Sequence, residues 1–320
     1  MELTIDPVAA SVAVLFACLV DAVAGGRHLL GRVPGPDQLL GAVLRPLVGR
    51  LDRAKRGGAT LAVRGGLLVV VLAPPLALAG HALDRRAADG GWAVVVAVAL
   101  LILLIGQRRS FDTARRDALM ATEQDGPDGD RHAATRAAIE RLTQRFADGL
   151  VANLFWFLAT GLAGLLAFRL LSATVSAGAP AGVMPPASRF FVLPSVLYRL
   201  AAAVPALLAG VVLLLAGWFV PGARPRLGAV PAAWASRGIQ LRATPLAVLA
   251  YGLGLAFLVR RQAGGEPVWL GPDGARARAG AADARRALVW VFAAWLIVLA
   301  GIAGLALAEL TGRVRLPALG

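Results

Sequence analysis

Cysteine is nearly absent from this chain of 320 residues, with Cys18 standing alone. That excludes an intrachain disulfide framework and any thiolate metal cluster built within one chain. Histidine occurs three times, at His28, His81 and His132, and no His-Glu-x-x-His run exists to hold a catalytic zinc. Isolated histidines of this kind read as structural or solvated. Lysine occurs once, at Lys55, so no glycine-rich loop ends in Lys-Ser/Thr and no Walker-type phosphate cradle is present. Only 16% of residues are charged, too few for the surface of a soluble domain of this length.

What fills the chain is apolar. Hydrophobic residues make up 58% and the mean hydropathy is +0.69, which marks a membrane protein. Apolar segments lie at about 8–24, 65–83, 92–106, 149–171, 200–220, 245–259 and 287–309. Several approach or exceed the roughly 20 residues that cross a bilayer. Glu2 and Asp6 stand where an export signal carries basic residues, so the first segment is expected to stay in the chain. The net charge of +14, from 33 basic and 19 acidic residues, sits in short loops between apolar segments. Anionic lipid headgroups and the positive-inside rule account for it there, and nucleic acid is not expected as a partner.

Basic residues in successive loops number 8 (27–64), 2 (84–91), 8 (107–148) and 2 (172–199). If 245–259 does not cross, the next loop holds 10 and the tail 2. This alternation predicts six crossings with both ends outside, and makes 245–259 re-entrant, interfacial or packed on the bundle. Within 107–148 the turn-rich "DGPDGDRH" precedes "AATRAAIERLTQRFADG". There Ile139, Leu142, Phe146 and Gly149 share one face while Arg136, Glu140, Arg141 and Arg145 occupy the rest. The spacing predicts an amphipathic helix that runs up to the membrane and enters it. Asp283 is placed as an N-cap or first-turn acid of the last segment.

Two carboxylates stand out. Asp21 lies in "LFACLVDAVAGG", either as an intramembrane functional acid or as the residue that ends its helix at the interface. Asp148 immediately precedes the charge-free stretch from Gly149 to Phe168. It either caps a helix beginning at Gly149 or contributes to an anion-binding helix start.

The stretch "AAIERLTQRFADGLVANLFWFLATGLAGLLAFRLL" at 137–171 resembles the membrane segment of the adenosylcobinamide-phosphate synthase family, CobD/CbiB. That family carries Ala-Glu-Asn-Phe-Ser-Asp-Gly, then Val-Val-Ala-Pro-x-Phe-Trp, then Gly-Leu-Pro-Gly. Phe146, Asp148, Gly149, Phe155, Trp156, Gly161 and Gly164 stand in matching places. Asp21 corresponds to the aspartate opening the family's first motif, and Pro36 with Gly41 matches its His-Pro-x-x-x-x-Gly. "KRGG" at 55–58 and "WLGPDGARARAGAADARRAL" at 269–288 follow in the family's order. The departures are consistent in kind. Gly25-Gly26-Arg27 replaces Gly-Asp-Pro, Gly35 replaces a histidine, Thr143-Gln144-Arg145 replaces Ala-Glu-Asn, and the Gly-Arg-Asp-Thr stretch has no counterpart in 107–131. Ser172-Ala173-Thr174-Val175-Ser176 replaces Asn-Thr-x-Asp-Ser, and Tyr198-Arg199 replaces an Asp-Asp pair.

The resemblance implies a single membrane domain over 1–320, all-α and polytopic, with five to seven transmembrane helices and cytoplasmic amphipathic helices, in the bacterial inner membrane. It implies ATP-dependent, magnesium-assisted amide formation between adenosylcobyric acid and aminopropanol phosphate. Asp148 would hold magnesium or orient the amine, Asp21 would be a second metal or base position, and Arg141, Arg145 and Gly149 would meet the phosphorylated substrate; no metal ligand set is assigned. The thinned acids leave two alternatives open. One is a non-catalytic relative that organises other corrinoid-pathway proteins at the bilayer, and the other an AmpE-like membrane regulator. One further expectation is structural. The family motifs at 148 and 172 should serve one site, which requires "GLAG" at 161–164 to break 149–171 into a hairpin, whereas the charge count favours a crossing.

Overall fold

The computed structural model describes residues 7–24, 36–53, 57–105, 128–177, 188–229, 241–260 and 267–311, with a few positions between 111 and 120. Gly25-Gly26-Arg27, His28, Gly35 and Lys55 lie outside them. The helices are α1 (Pro7–Ala24), α2 (Pro36–Leu51), α3 (Gly58–Ala88), α4 (Trp92–Ile105), α5 (Asp128–Gln144), α6 (Ala152–Ala177), α7 (Val192–Gly217), α8 (Thr244–Leu253) and α9 (Ala281–Leu310). A π-helical turn, Arg145–Val151, joins α5 to α6. The protein is an all-α polytopic membrane protein with one small exception, an antiparallel pair β1 (Phe257–Arg260) and β2 (Pro267–Leu270). Among the described residues four helical runs are long and apolar enough to cross a bilayer: Gly58–Ala88, Arg131–Ala177, Arg189–Gly217 and Ala281–Leu310. Shorter apolar helices cover Ser11–Asp21, Trp92–Leu104 and Leu241–Leu253. The ten residues of α8 extend only about 15 Å, half a bilayer core, as the charge pattern requires of 245–259.

The chain divides into two compact units. The first comprises Met1–Gly106, Asn153–Ala201 and Gly301–Gly320. Here α4 packs against α1 and α3, and the 3-10 turn Arg189–Phe191 packs on α3. Gly65 and Gly66 permit that approach, since side chains there would strike the Phe190 carbonyl and the Leu193 side chain. Phe190 and Phe191 are buried among Val48, Leu61 and Leu68. Ser188 fixes the turn, its Oγ accepting from Phe190 N–H at 3.2 Å and donating to Asp52 Oδ1 at 2.6 Å.

Helix α6 does not run straight. Gly161 adopts φ 68°, ψ −158°, a conformation nearly confined to glycine, and separates half-helices 152–160 and 162–177. Asn153 Nδ2 and Arg169 Nη2 both donate to the carbonyl of Leu104, at 2.7 and 2.6 Å. In an unbroken helix those residues would stand roughly 24 Å apart, beyond the joint reach of the two side chains. Trp156 stacks on Phe168 with ring centroids at 6.4 Å, where a straight helix would set them about 18 Å apart along its axis. The segment therefore folds back as a helical hairpin. This corrects the six-crossing count, which took 149–171 as a single span, and agrees with the break expected at "GLAG".

The hairpin tip is held by α3. Asp84 Oδ2 accepts from Leu162 N–H at 2.7 Å and its carboxylate also meets the Ala163 amide, capping the restarted helix at its positive end. Gly80 lets the backbones touch, because a Cβ there would stand 2.8 Å from Ala163 N.

The second unit comprises Gln107–Ala152 and Ala202–Ala300. Trp290 is its centre, fully buried, with Nε1 donating to Leu213 O at 2.7 Å. The bare faces of Gly217 and Gly252 lie against its indole. The pair β1–β2 extends the segment between α8 and α9, and Ala138 of α5 packs on Ala284 and Leu288.

Replacing Gly161 by alanine is expected to lower stability by about 1–3 kcal/mol, the cost of the glycine-only backbone conformation. Asp84→Ala should be more damaging than Asp84→Asn, because asparagine keeps an acceptor for Leu162 N–H. Thermal unfolding of the detergent-solubilised protein measures both, and equal losses for the two Asp84 variants would refute the capping role.

Candidate functional site

Helix α5 continues without interruption into the π-turn. Ala138, Ile139, Leu142, Phe146 and Leu150 are buried, as the apolar stripe predicts. The polar residues Arg136, Glu140, Arg141 and Arg145 are only half-buried. The π-turn contains the whole of "RFADGLV". One extra residue in a helical turn rotates everything after it, and such bulges recur at functional sites.

Asp148 lies inside this turn. No helix begins at Gly149, so the capping reading is corrected: the Asp148 partner is Arg242, whose Nη2 stands 2.5 Å from Oδ2. Both side chains are largely buried, 16% exposed for Asp148 and 19% for Arg242. Arg242 is carried by the 3-10 turn Leu241–Ala243, which leads into α8. Thr244 Oγ1 donates to Leu241 O at 2.5 Å, Pro245 occupies the first turn, and α8 is buried on almost every side. The guanidinium thus has a rigid mount.

Glu140 joins the same electrostatic group. Burial pushes its carboxyl up from the ordinary value, against the downward pull of Arg242 and Arg141. Eight residues separate it from Gly149 and the apolar stretch. Gln144 Nε2 donates to Glu140 Oε1 at 3.1 Å. Arg141 follows Glu140 directly and Arg145 opens the π-turn. At Gly149 nothing lies within 4 Å of where a Cβ would stand, so open space adjoins that residue. The arrangement brings Asp148, Arg242, Glu140 and Arg141 within electrostatic range of one another.

The segment resembling "Trp-x-Gly" clamps α5. Arg136 donates to the Ala277 carbonyl and lies 5.7 Å from the centroid of Trp269 on β2. His132 Nδ1–H donates to Ala279 O at 2.7 Å, a carbonyl being only an acceptor. Asp283 Oδ2 accepts from Gly280 N–H at 3.0 Å, and Oδ1 meets Arg276 at 3.3 Å, confirming a first-turn acid on α9. His132 is structural.

Asp21 belongs to the first unit, in the last turn of α1, and is 3% exposed. Among the described residues no group of three or more His, Cys, Asp or Glu side chains comes together for a metal ion. Sequence reasoning overlooked Arg242, which looked like one more loop arginine. It also overlooked the strands, although "FLVR" and "PVWL" around a glycine-containing connection carry a hairpin signal.

No family model matches the chain, and no solved structure matches it. Curated relatives do. A cobalamin biosynthesis protein CobD of Sinorhizobium sp is 31% identical over 173 residues, covering 49% of this chain and 54% of the relative. The CobD of Rhizobium meliloti is 31% identical over 175 residues, with 49% and 54% covered. The CobD of Chromobacterium violaceum is 30% identical over 164 residues, with 42% and 52% covered. The chain thus spans about half the length of the curated relatives it matches.

A double-mutant cycle on Asp148→Ala and Arg242→Ala is expected to show coupling of about 1–3 kcal/mol; additive losses would dissolve the pair. Glu140 has a raised folded-state value, so its contribution is present at low pH and lost as pH rises through that value. Glu140→Gln should therefore melt higher than the parent at neutral pH, the advantage vanishing on acidification. Melting curves across that range decide it.

Proposed function

We propose, for a chain that is a divergent relative of the CobD cobalamin biosynthesis proteins, a role in cobalamin biosynthesis at the bacterial inner membrane. Its reaction is ATP-dependent amide formation between adenosylcobyric acid and aminopropanol phosphate. The observation that carries this reading is the Asp148–Arg242 pair on the π-turn formed by the motif that resembles the synthase family. Making an amide from a carboxylate requires phosphoryl transfer to its oxygen, amine attack on the acyl carbon and departure of phosphate. Negative charge is concentrated on phosphate throughout, and fixed cations stabilise it most where water is scarce. Arg242 meets that charge, with Arg141 and Arg145 on the helical run that carries Asp148. Asp148 aims Arg242, and Glu140, held toward neutrality by burial, is placed to exchange a proton with the amine.

Magnesium fits these residues poorly. Asp148 Oδ2 already holds Arg242 at 2.5 Å, so no step is routed through a metal here. Asp21 is kept as a second acidic position without an assigned role.

One observation favours a non-catalytic relative that organises corrinoid enzymes. Where the synthase motif places an acidic pair, Tyr198 is buried with its ring 5.7 Å from Phe168, and Arg199 Nε donates to Ser195 O at 3.1 Å. That position has become packing.

Expression in a bacterium lacking its own synthase, supplied with cobyric acid and scored for cobalamin-dependent growth, separates the two. Growth is expected, and Arg242→Ala should reduce amide formation on the order of a hundredfold. Absence of growth with the protein present in the membrane would establish the organising role instead.

A further inference from the structure

Helix α2 is the amphipathic element of the first unit that no crossing explains. Its inner face, Leu40, Leu44, Leu47, Val48 and Leu51, packs on α3, α6 and the Phe190 turn. Its outer face is exposed: Leu39, Val43 and Pro46 toward the start, then Arg50, with Arg45 to one side and Arg53 just beyond the end. The acids on this stretch are Asp37 in the first turn of α2 and Asp52 just beyond its end, and Ser188 already engages Asp52. The outer face is therefore apolar at one end and cationic at the other.

Three observations place this face at a lipid headgroup layer. First, Pro46 lacks an N–H and leaves the exposed Ala42 carbonyl without its helical donor. A hydrated interface tolerates that group, and hydrocarbon does not. Second, α3 leaves the same end of the unit with Val63, Leu67, Val70 and Val71 all more than half exposed, an apolar stripe suited to acyl chains. Third, further arginines gather where the stripe starts: Arg64 on α3 and exposed Arg189, whose Cδ lies over the first residue of α3. Lys55 and Arg56 follow in the sequence.

We propose that α2 lies in the plane of the interface and that Arg45, Arg50 and Arg53, with Arg64 and Arg189, bind the phosphates of anionic phospholipids. Leu39 and Val43 insert shallowly beside them. The site is independent of the reading of the Asp148 cluster.

The full chain, purified in a neutral detergent, is titrated with phosphatidylglycerol and with phosphatidylcholine by native mass spectrometry. Preferential retention of phosphatidylglycerol is expected, falling roughly fivefold for each of Arg45→Gln, Arg50→Gln and Arg53→Gln. Lysine at the same positions should retain most of it, which separates charge from misfolding. Hydrogen exchange of residues 36–51 in phosphatidylcholine nanodiscs should slow when phosphatidylglycerol is added. Equal retention of both lipids, or glutamine variants that bind like the parent, overturns the proposal. So does equal protection by inorganic phosphate, which identifies a free-anion site. Protection that tracks self-association in light scattering assigns the face to a second copy and likewise overturns it.

Discussion

A helix inside an apolar unit can stop and restart only if its freed amides find acceptors, and here the acceptor is the Asp84 carboxylate at Leu162 and Ala163. Without it, each buried N–H would lack the hydrogen bond that a low-dielectric setting makes costly to forgo. The carboxylate also meets the positive end of the 162–177 helix, which stabilises its charge. Gly161 makes the turn sterically possible and Gly80 makes the approach close enough. The two half-helices, and everything packed on them, depend on that contact.

The open end of the hairpin is fixed by the complementary device. Leu104 lies in the last turn of α4, where helical carbonyls lose their own donors. Asn153 and Arg169 supply two, one of them cationic, and a cation at a helix C-terminus is favourably placed. The tip thus uses an acid at a helix start, and the base a cation at a helix end. Both ends answer the same problem, exposed backbone polarity away from water, with oppositely charged side chains.

Much of this was legible in residue order. Apolar runs located the apolar helices with ends up to eight residues off and missed α2, the short 245–259 segment was excluded as a crossing, and the family resemblance, against the charge count, called for a break at 161–164. The stripe through Ile139, Leu142 and Phe146 located the buried face of α5. Charge counting failed at 149–171 because a hairpin returns to where it started and does not alternate sides. Arg189 and Arg199, the two basic residues counted in the loop that follows, lie over Gly58 and on the Ser195 carbonyl. Asp84 and Arg242 were invisible for another reason: their partners lie 78 and 94 positions away. Periodicity describes one element at a time and cannot name a distant partner. Nor does it distinguish a π-turn from an α-helix, which is why Asp148 looked like a cap.

The Asp148 pair bears on the two proposed readings on energetic grounds. Sequestering a carboxylate and a guanidinium from water costs several kcal/mol per ion, and an apolar pair of similar volume often serves stability as well or better. At Tyr198 this chain has such a replacement, packing an aromatic ring where the synthase motif places acids. At 140–148 it carries Glu140 and Arg141 at the end of α5 and Arg145 and Asp148 on the π-turn, Asp148 matching the synthase motif and Arg145 departing from it. An organiser of the membrane does not need a largely buried Asp148–Arg242 pair for its stability. The Asp148–Arg242 pair is the feature on which the proposed catalytic reading rests, and a purely structural role leaves it unexplained.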